Sequence, residues 1–172
     1  MVALFRQDDR YRVLYTLRSE HLPNHKGQVA FPGGKREAGD GRLLDTALRE
    51  ANEEVGLDPA AVDIIGTLDD VYTMATQYVI TPYVGVVRGR PQLRPDPSEV
   101  ADVFDVPVHD LLDPDYHKVE SRTWGDNEVD IDVITAGPHI IWGATHSITM
   151  NLIACLEPAA EGPAGARSGR SG

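Results

Sequence analysis

"GKREAGDGRLLDTALREANEEVGL", residues 34–57, is the stretch on which the fold of this 172-residue chain turns. It opens on glycine-rich, polar residues that read as a tight turn. Residues 42–55 then carry the apolar spacing of a helix, with Asp40 in place to cap its start and Gly56 just past its end. At about 100° per residue, Leu44, Ala47, Leu48, Ala51 and Val55 fall within roughly 60° of one direction and form a core stripe. Glu50, Glu53 and Glu54 fall at roughly 180° to 280° from it, on one shared face away from that stripe. Like charges three and four residues apart repel on a helix, so something must compensate them. Arg49 lies four residues before Glu53 and can pair with it. Hard divalent ions such as Mg²⁺ or Mn²⁺ take oxygen ligands, and this spacing suits them. The same spacing also describes a solvated acidic face, which is common on helices.

Outward from this unit, the chain alternates strand and helix signals. "VALF" and "YRVLYTL" (11–17) read as two strands joined by "RQDDR", and "QVAF" as a short third ending at Pro32, Gly33 and Gly34. "VDIIGTLDDVYT" and "QYVITPYVGVV" are rich in β-branched residues and read as strands. "RGRPQLRPDPSE" (88–99) is a proline-rich connector, followed by the strand "VADVFDVPV" and a short helix at "HDLLD". "HKVESRTWGDNEVDIDVI" reads as a hairpin turning at "GDN", and "IIWGATHSITMNLIACL" as a second long helix. These elements sum to one domain over residues 1–157, an α/β/α sandwich on a mixed sheet. Residues 158–172 are Pro, Ala, Gly, Ser and Arg with one acid, the composition of a disordered tail.

Composition narrows the function classes. With 27 acidic and 16 basic side chains the net charge is -11. That excludes the basic footprint needed to hold nucleic acid or an anionic membrane. The lone Cys155 excludes an internal disulfide framework and reads as a core residue rather than a nucleophile. No apolar run is long enough to span a bilayer, no secretory segment opens the chain, and a cytoplasmic setting is expected. The chain starts almost at once in a strand, so further residues upstream are an expectation. The six histidines show no metal-ligand spacing, and no zinc is assigned.

Residues 34–57 closely resemble the signature box of the Nudix hydrolases. Gly34, Arg49, Glu50, Ala51, Glu53, Glu54, Gly56 and Leu57 match it. Two departures stand out: Asp40 replaces the usual Glu, and eight residues rather than seven separate it from Arg49. The resemblance implies the Nudix α/β/α fold and binding of divalent cations, Mg²⁺ or Mn²⁺, by Glu50, Glu53 and Glu54. Arg49 would orient Glu53, which together with Arg49 belongs to the catalytic set.

Residues 14–34, "LYTLRSEHLPNHKGQVAFPGG", place Arg18, His21, His25 and Lys26 around Gly27, side chains that bind phosphates. Their order is similar to a second motif, that of the coenzyme A pyrophosphatase branch. The extra box residue, "ITPYVGVV" and "IWGATHSI" look like that branch too. The implied reaction is hydrolysis of coenzyme A, or its acyl or oxidised forms, to 3',5'-ADP and 4'-phosphopantetheine. Arg18, Lys26 and Arg36 would meet the phosphates, and Gly33 and Gly34 would let the turn approach the ligand. A general base must come from elsewhere. Glu99, at a loop-to-strand junction, is the first candidate, ahead of Asp102, Glu120 and Glu128. Trp124 and Trp142 are candidates to stack on adenine. Two rival readings are a Nudix enzyme acting on ADP-ribose or a dinucleotide, and a non-catalytic nucleotide sensor.

Overall fold

A computed structural model of the chain describes residues 1–156 apart from Ala75, Asp126 and the side chain of Trp124. The expected tail, 158–172, lies outside the described residues. In chain order the elements are β1 (Val2–Gln7), β2 (Arg10–Arg18), β3 (Val29–Ala30), α1 (Leu43–Val55), β4 (Val62–Thr67), β5 (Val71–Thr73) and β6 (Tyr78–Ile80). They continue with β7 (Tyr83–Val87), β8 (Val100–Pro107), α2 (Val108–Leu111), β9 (His117–Trp124), β10 (Asn127–Ala136), β11 (His139–Ile141) and α3 (Gly143–Leu156).

The main sheet runs β3-β2-β1-β7-β4, with β8 on the other edge of β2. β1 and β7 are parallel and the remaining pairs antiparallel. Side chains alternate across a strand, so β1 serves two cores at once. Val2 and Leu4 pack with Ile148, Leu152 and Ile153 of α3. Met1, Ala3 and Phe5 pack with Ala51 and Val55 of α1. One helix therefore covers each face, the expected α/β/α arrangement. Tyr15, fully buried on β2, shares a hydrogen bond of 3.0 Å with Thr149 of α3 and ties sheet to helix. β9, β10 and β11 form a separate three-stranded sheet, and β5 and β6 a two-stranded one. Among the described residues no helix is long and apolar enough to cross a membrane.

Several local expectations need correction. The N-cap of α1 is Arg42, not Asp40; its N–H is taken by the Asp45 carboxylate one turn on, at 2.8 Å. Gly56 does end the helix, at φ 70°, a left-handed position where its N–H reaches the Asn52 carbonyl. The two long β-branched stretches each break into two strands, because Asp69, Asp70 and Pro82 interrupt the ladders. "QVAF" contributes only Val29 and Ala30. α3 begins at Gly143, since His139–Ile141 pairs with β10 as a strand. Cys155 is exposed on the outer side of α3, not in the core.

Candidate functional site

The glycine-rich turn and α1 are joined through carboxylates. The Gly33 N–H donates to Oε2 of Glu54 at 3.2 Å. Glu54 is only 4% exposed, and burial pushes its carboxyl up to about 7. Glu50 lies one turn earlier on the same side. Its carboxylate is set directly against Gly34, where a Cβ would come within 2.4–2.5 Å of the carboxylate atoms. Burial raises the Glu50 carboxyl as well, and the Glu50 charge in turn disfavours ionisation of Glu54. The face expected to be free of the core is thus half enclosed by the turn.

Arg49 organises the rest. Its guanidinium donates to Glu53 at 2.8 Å, to both oxygens of Asp40 at 3.1 Å, and to the Lys35 carbonyl at 3.1 Å, and it pairs with Glu50 at 3.0 Å. Asp40 also accepts from the Glu37 N–H and the Thr46 hydroxyl. The Arg49 guanidinium holds the Asp40 carboxyl well below the usual carboxylate range. Asp40 is therefore the anchor of Arg49, with both oxygens engaged. Its role was hidden in the sequence because a nine-residue separation from Arg49 has meaning only once the loop folds back on the helix.

The three glutamates do not converge as expected. Glu54 turns inward with a side chain 5% exposed, whereas Glu53 turns outward to Arg49 and is 57% exposed. Adjacent helical residues diverge by about 100°, and Arg49 draws Glu53 to its own side. Among the described residues no three carboxylate, imidazole or thiol side chains are gathered as ligands around one point. Glu50 and Glu54, one turn apart, form the closer pair.

Glu99 reaches this pair through the proline-rich connector. The N–H groups of Arg94 and Asp96 donate to the terminal α1 carbonyls of Val55 and Glu54, at 2.7 and 2.9 Å. The connector thereby caps the helix and carries Glu99 close enough that its charge disfavours ionisation of both Glu50 and Glu54. The Ser19 N–H donates to the Glu99 carbonyl at 2.8 Å, fixing the end of β2 to the same place. Arg18, at that end, brings Nη1 to 4.0 Å from Glu54, while its buried Nε has no hydrogen-bond partner among the described residues.

Other residues singled out in the sequence lie apart. Arg36 is committed to the Asp40 and Gly41 carbonyls, so its guanidinium holds the loop rather than facing the glutamates. Lys26 is exposed at the end of the 19–27 loop. Asp102 faces His139 at 3.4 Å, and Glu120 and Glu128 belong to the separate three-stranded sheet. Trp142 lies beneath the Arg122 guanidinium, 4.8 Å from its ring centre. A surface depression of about 410 Å³ beside Phe5, Leu93 and Phe104 has none of the glutamates in its wall. Nothing in the spacing of residues singles out Tyr78, whose ring lies under the Lys35 ammonium at 4.8 Å; only the pairing of β5 with β6 brings it there.

A helix closing one face of a mixed sheet is a fold with known relatives. The NUDIX domain pattern matches residues 1–125, and the chain belongs to the Nudix family. It is 37% identical over 155 residues to Nudix hydrolase 15, mitochondrial, of Arabidopsis thaliana, a match covering 86% of this chain and 54% of that one. The chain thus spans about half the length of that relative. It is also 37% identical over 141 residues to NudL of Yersinia pestis, described as an uncharacterized Nudix hydrolase, covering 81% of this chain and 70% of that one. Among solved structures, a C. elegans Ap4A hydrolase binary complex superposes with a TM-score of 0.54 at 14% identity, over 63% of this chain and 77% of that one. A Nudix hydrolase from M. smegmatis gives 0.53 at 19%, over 63% and 68%. At such identities the likeness concerns the fold alone. Nudix hydrolases generally use divalent metal ions such as Mg²⁺ or Mn²⁺.

Proposed function

We propose that this chain is a divalent-cation-dependent pyrophosphatase acting on coenzyme A or its acyl or oxidised derivatives, releasing 3',5'-ADP and 4'-phosphopantetheine. The observation that carries the reading is Glu54: a carboxylate buried against a glycine turn, one helical turn from a second, half-buried carboxylate, with only a distant arginine opposite. Such partly compensated negative charge suits a hard cation, which is commonly held by one or two carboxylates with water and substrate phosphate completing its shell. Glu50 and Glu54 are the residues that would hold it. Glu53 would contribute from its outward position, oriented by Arg49. When bound, the ion neutralises phosphate charge and acidifies a water molecule.

The protein's own groups do the rest. Asp40 fixes Arg49, and Arg49 fixes Glu50 and Glu53, so the carboxylates are pre-positioned. Arg18 lies where a phosphoryl oxygen would replace Glu54 as its partner, and its unpartnered Nε is a donor for that oxygen. Glu99 is the proton acceptor: its carboxylate takes a proton from the attacking water as the new P–O bond forms. The bridging P–O bond breaks, and the departing phosphate keeps the electron pair. Lys26, at the end of the exposed loop, would meet the 3'-phosphate. The choice of coenzyme A rests on residues 14–34 and their likeness to the coenzyme A pyrophosphatase motif. A cytoplasmic location goes with the single exposed cysteine and the lack of any disulfide framework.

The test is product analysis after incubation with coenzyme A and Mg²⁺ or Mn²⁺, beside ADP-ribose and NADH. Release of 3',5'-ADP, lost in Glu54→Gln, is the expected result. Faster turnover of ADP-ribose would move the substrate assignment, and no metal-dependent turnover of any of the three would favour a nucleotide sensor.

A further inference from the structure

The Lys35 ammonium sits 4.8 Å from the centre of the Tyr78 ring. Lys35 directly follows Gly34, and its carbonyl is held by Arg49. Its backbone is thereby fixed at the rim of the glutamate site, while its side chain is exposed. Among the described residues this ammonium has no ion pair, although Glu37, Glu50 and Glu53 belong to the same turn and helix. Tyr78 comes from the β5–β6 hairpin. Its cross-strand partner is Thr73, whose hydroxyl bonds both the Tyr78 carbonyl and its N–H, at 3.1 Å each. Alternation along β6 puts Tyr78 on the side of Ile80, which packs against the core, while Val79 faces away. The ring is therefore braced from below, aimed toward the box and still 46% exposed.

An exposed aromatic face under an exposed lysine ammonium is a surface a planar ligand can take over. The cation–π contact at such an exposed site is weak. Stacking of a nucleobase on an aromatic side chain contributes more. We propose that Tyr78 is a nucleobase platform and Lys35 its exchangeable cover: a purine nucleotide stacks on the Tyr78 ring and displaces the ammonium, which then meets the nucleotide's phosphate. This assignment rests on the nucleotide-hydrolase reading above and adds to it the residue that senses the base.

The test measures binding of AMP and of ribose 5-phosphate, which is AMP without its base, to the full chain by calorimetry with magnesium chloride throughout. Wild type is expected to prefer AMP by about tenfold. Tyr78→Leu should erase that preference, Tyr78→Phe should keep it, and Lys35→Met should weaken both ligands alike. A wild type that does not prefer AMP, or a Tyr78→Leu protein that still does, would overturn the proposal. Melting curves on Tyr78→Leu and Tyr78→Phe show whether each is folded, and Lys35→Met supplies a second arm on an exposed side chain. Turnover of coenzyme A and ADP-ribose by wild type is scored separately. Active enzyme with an unchanged preference in Tyr78→Leu sinks the platform alone, whereas inactive enzyme with the expected preferences sinks the hydrolase reading alone.

Discussion

Gly34→Ala separates the chemistry of this site from the stability of the fold. A Cβ on Gly34 would stand 2.4–2.5 Å from Cδ, Oε1 and Oε2 of Glu50, whereas ordinary contact begins near 3.4 Å. The Glu50 carboxylate must therefore retreat by about 1 Å, the difference of those distances. It is the far end of a flexible side chain, so retreat is inexpensive to the fold. Gly34 is not among the positive-φ glycines, so alanine is not strained there, and its smaller unfolded-state entropy favours the folded state by about 0.4–1 kcal/mol. A displacement of about 1 Å in a positioned group, by contrast, lowers a rate by roughly 10²-fold. The expected outcome is a kcat for coenzyme A lowered about a hundredfold, weaker Mn²⁺ binding by titration, and a melting temperature equal to or slightly above wild type. Unchanged kcat and unchanged Mn²⁺ affinity in a folded Gly34→Ala protein would refute the placement of Glu50 against the turn as functional.

Glu54→Gln keeps the shape and the Gly33 hydrogen bond but removes the charge, and should lower turnover by roughly 10²-fold or more. Burial raises the Glu54 carboxyl from 4.5 to about 7, so its contribution to stability is complete below pH 4.5 and lost as pH rises to about 7. With divalent ions chelated, wild type should lose roughly 2–3 kcal/mol across that window relative to Glu54→Gln, as read by denaturant titration at pH 5 and pH 8. Tyr15→Phe removes the buried hydrogen bond to Thr149, whose hydroxyl keeps its own bond to the Thr145 carbonyl, and should cost about 1 kcal/mol in denaturant unfolding, with activity retained. Burial holds His146 below its ordinary value, so its contribution is present above that value and lost as pH falls through the lowered one; His146→Gln should flatten that part of an acid-unfolding curve.

Local grammar was legible from the residues alone. The apolar stripe from Leu44 to Val55, the stop at Gly56 and the run of β-branched strands were readable because helix and strand periods are properties of neighbouring residues. The pairing of Arg49 with Glu53 was readable for the same reason, since four residues on a helix always meet. Tertiary structure decided everything that depended on distant segments. It moved Asp40 from a helix cap to the anchor of Arg49, and it turned Glu54 inward and Glu53 outward. It committed Arg36 to its own loop, and it exposed Cys155. It carried Glu99 to the glutamates through a proline-rich connector and set Tyr78 beneath Lys35. Each of these depends on loop closure and strand pairing between residues far apart in the chain, and no periodicity along the sequence records where a loop returns.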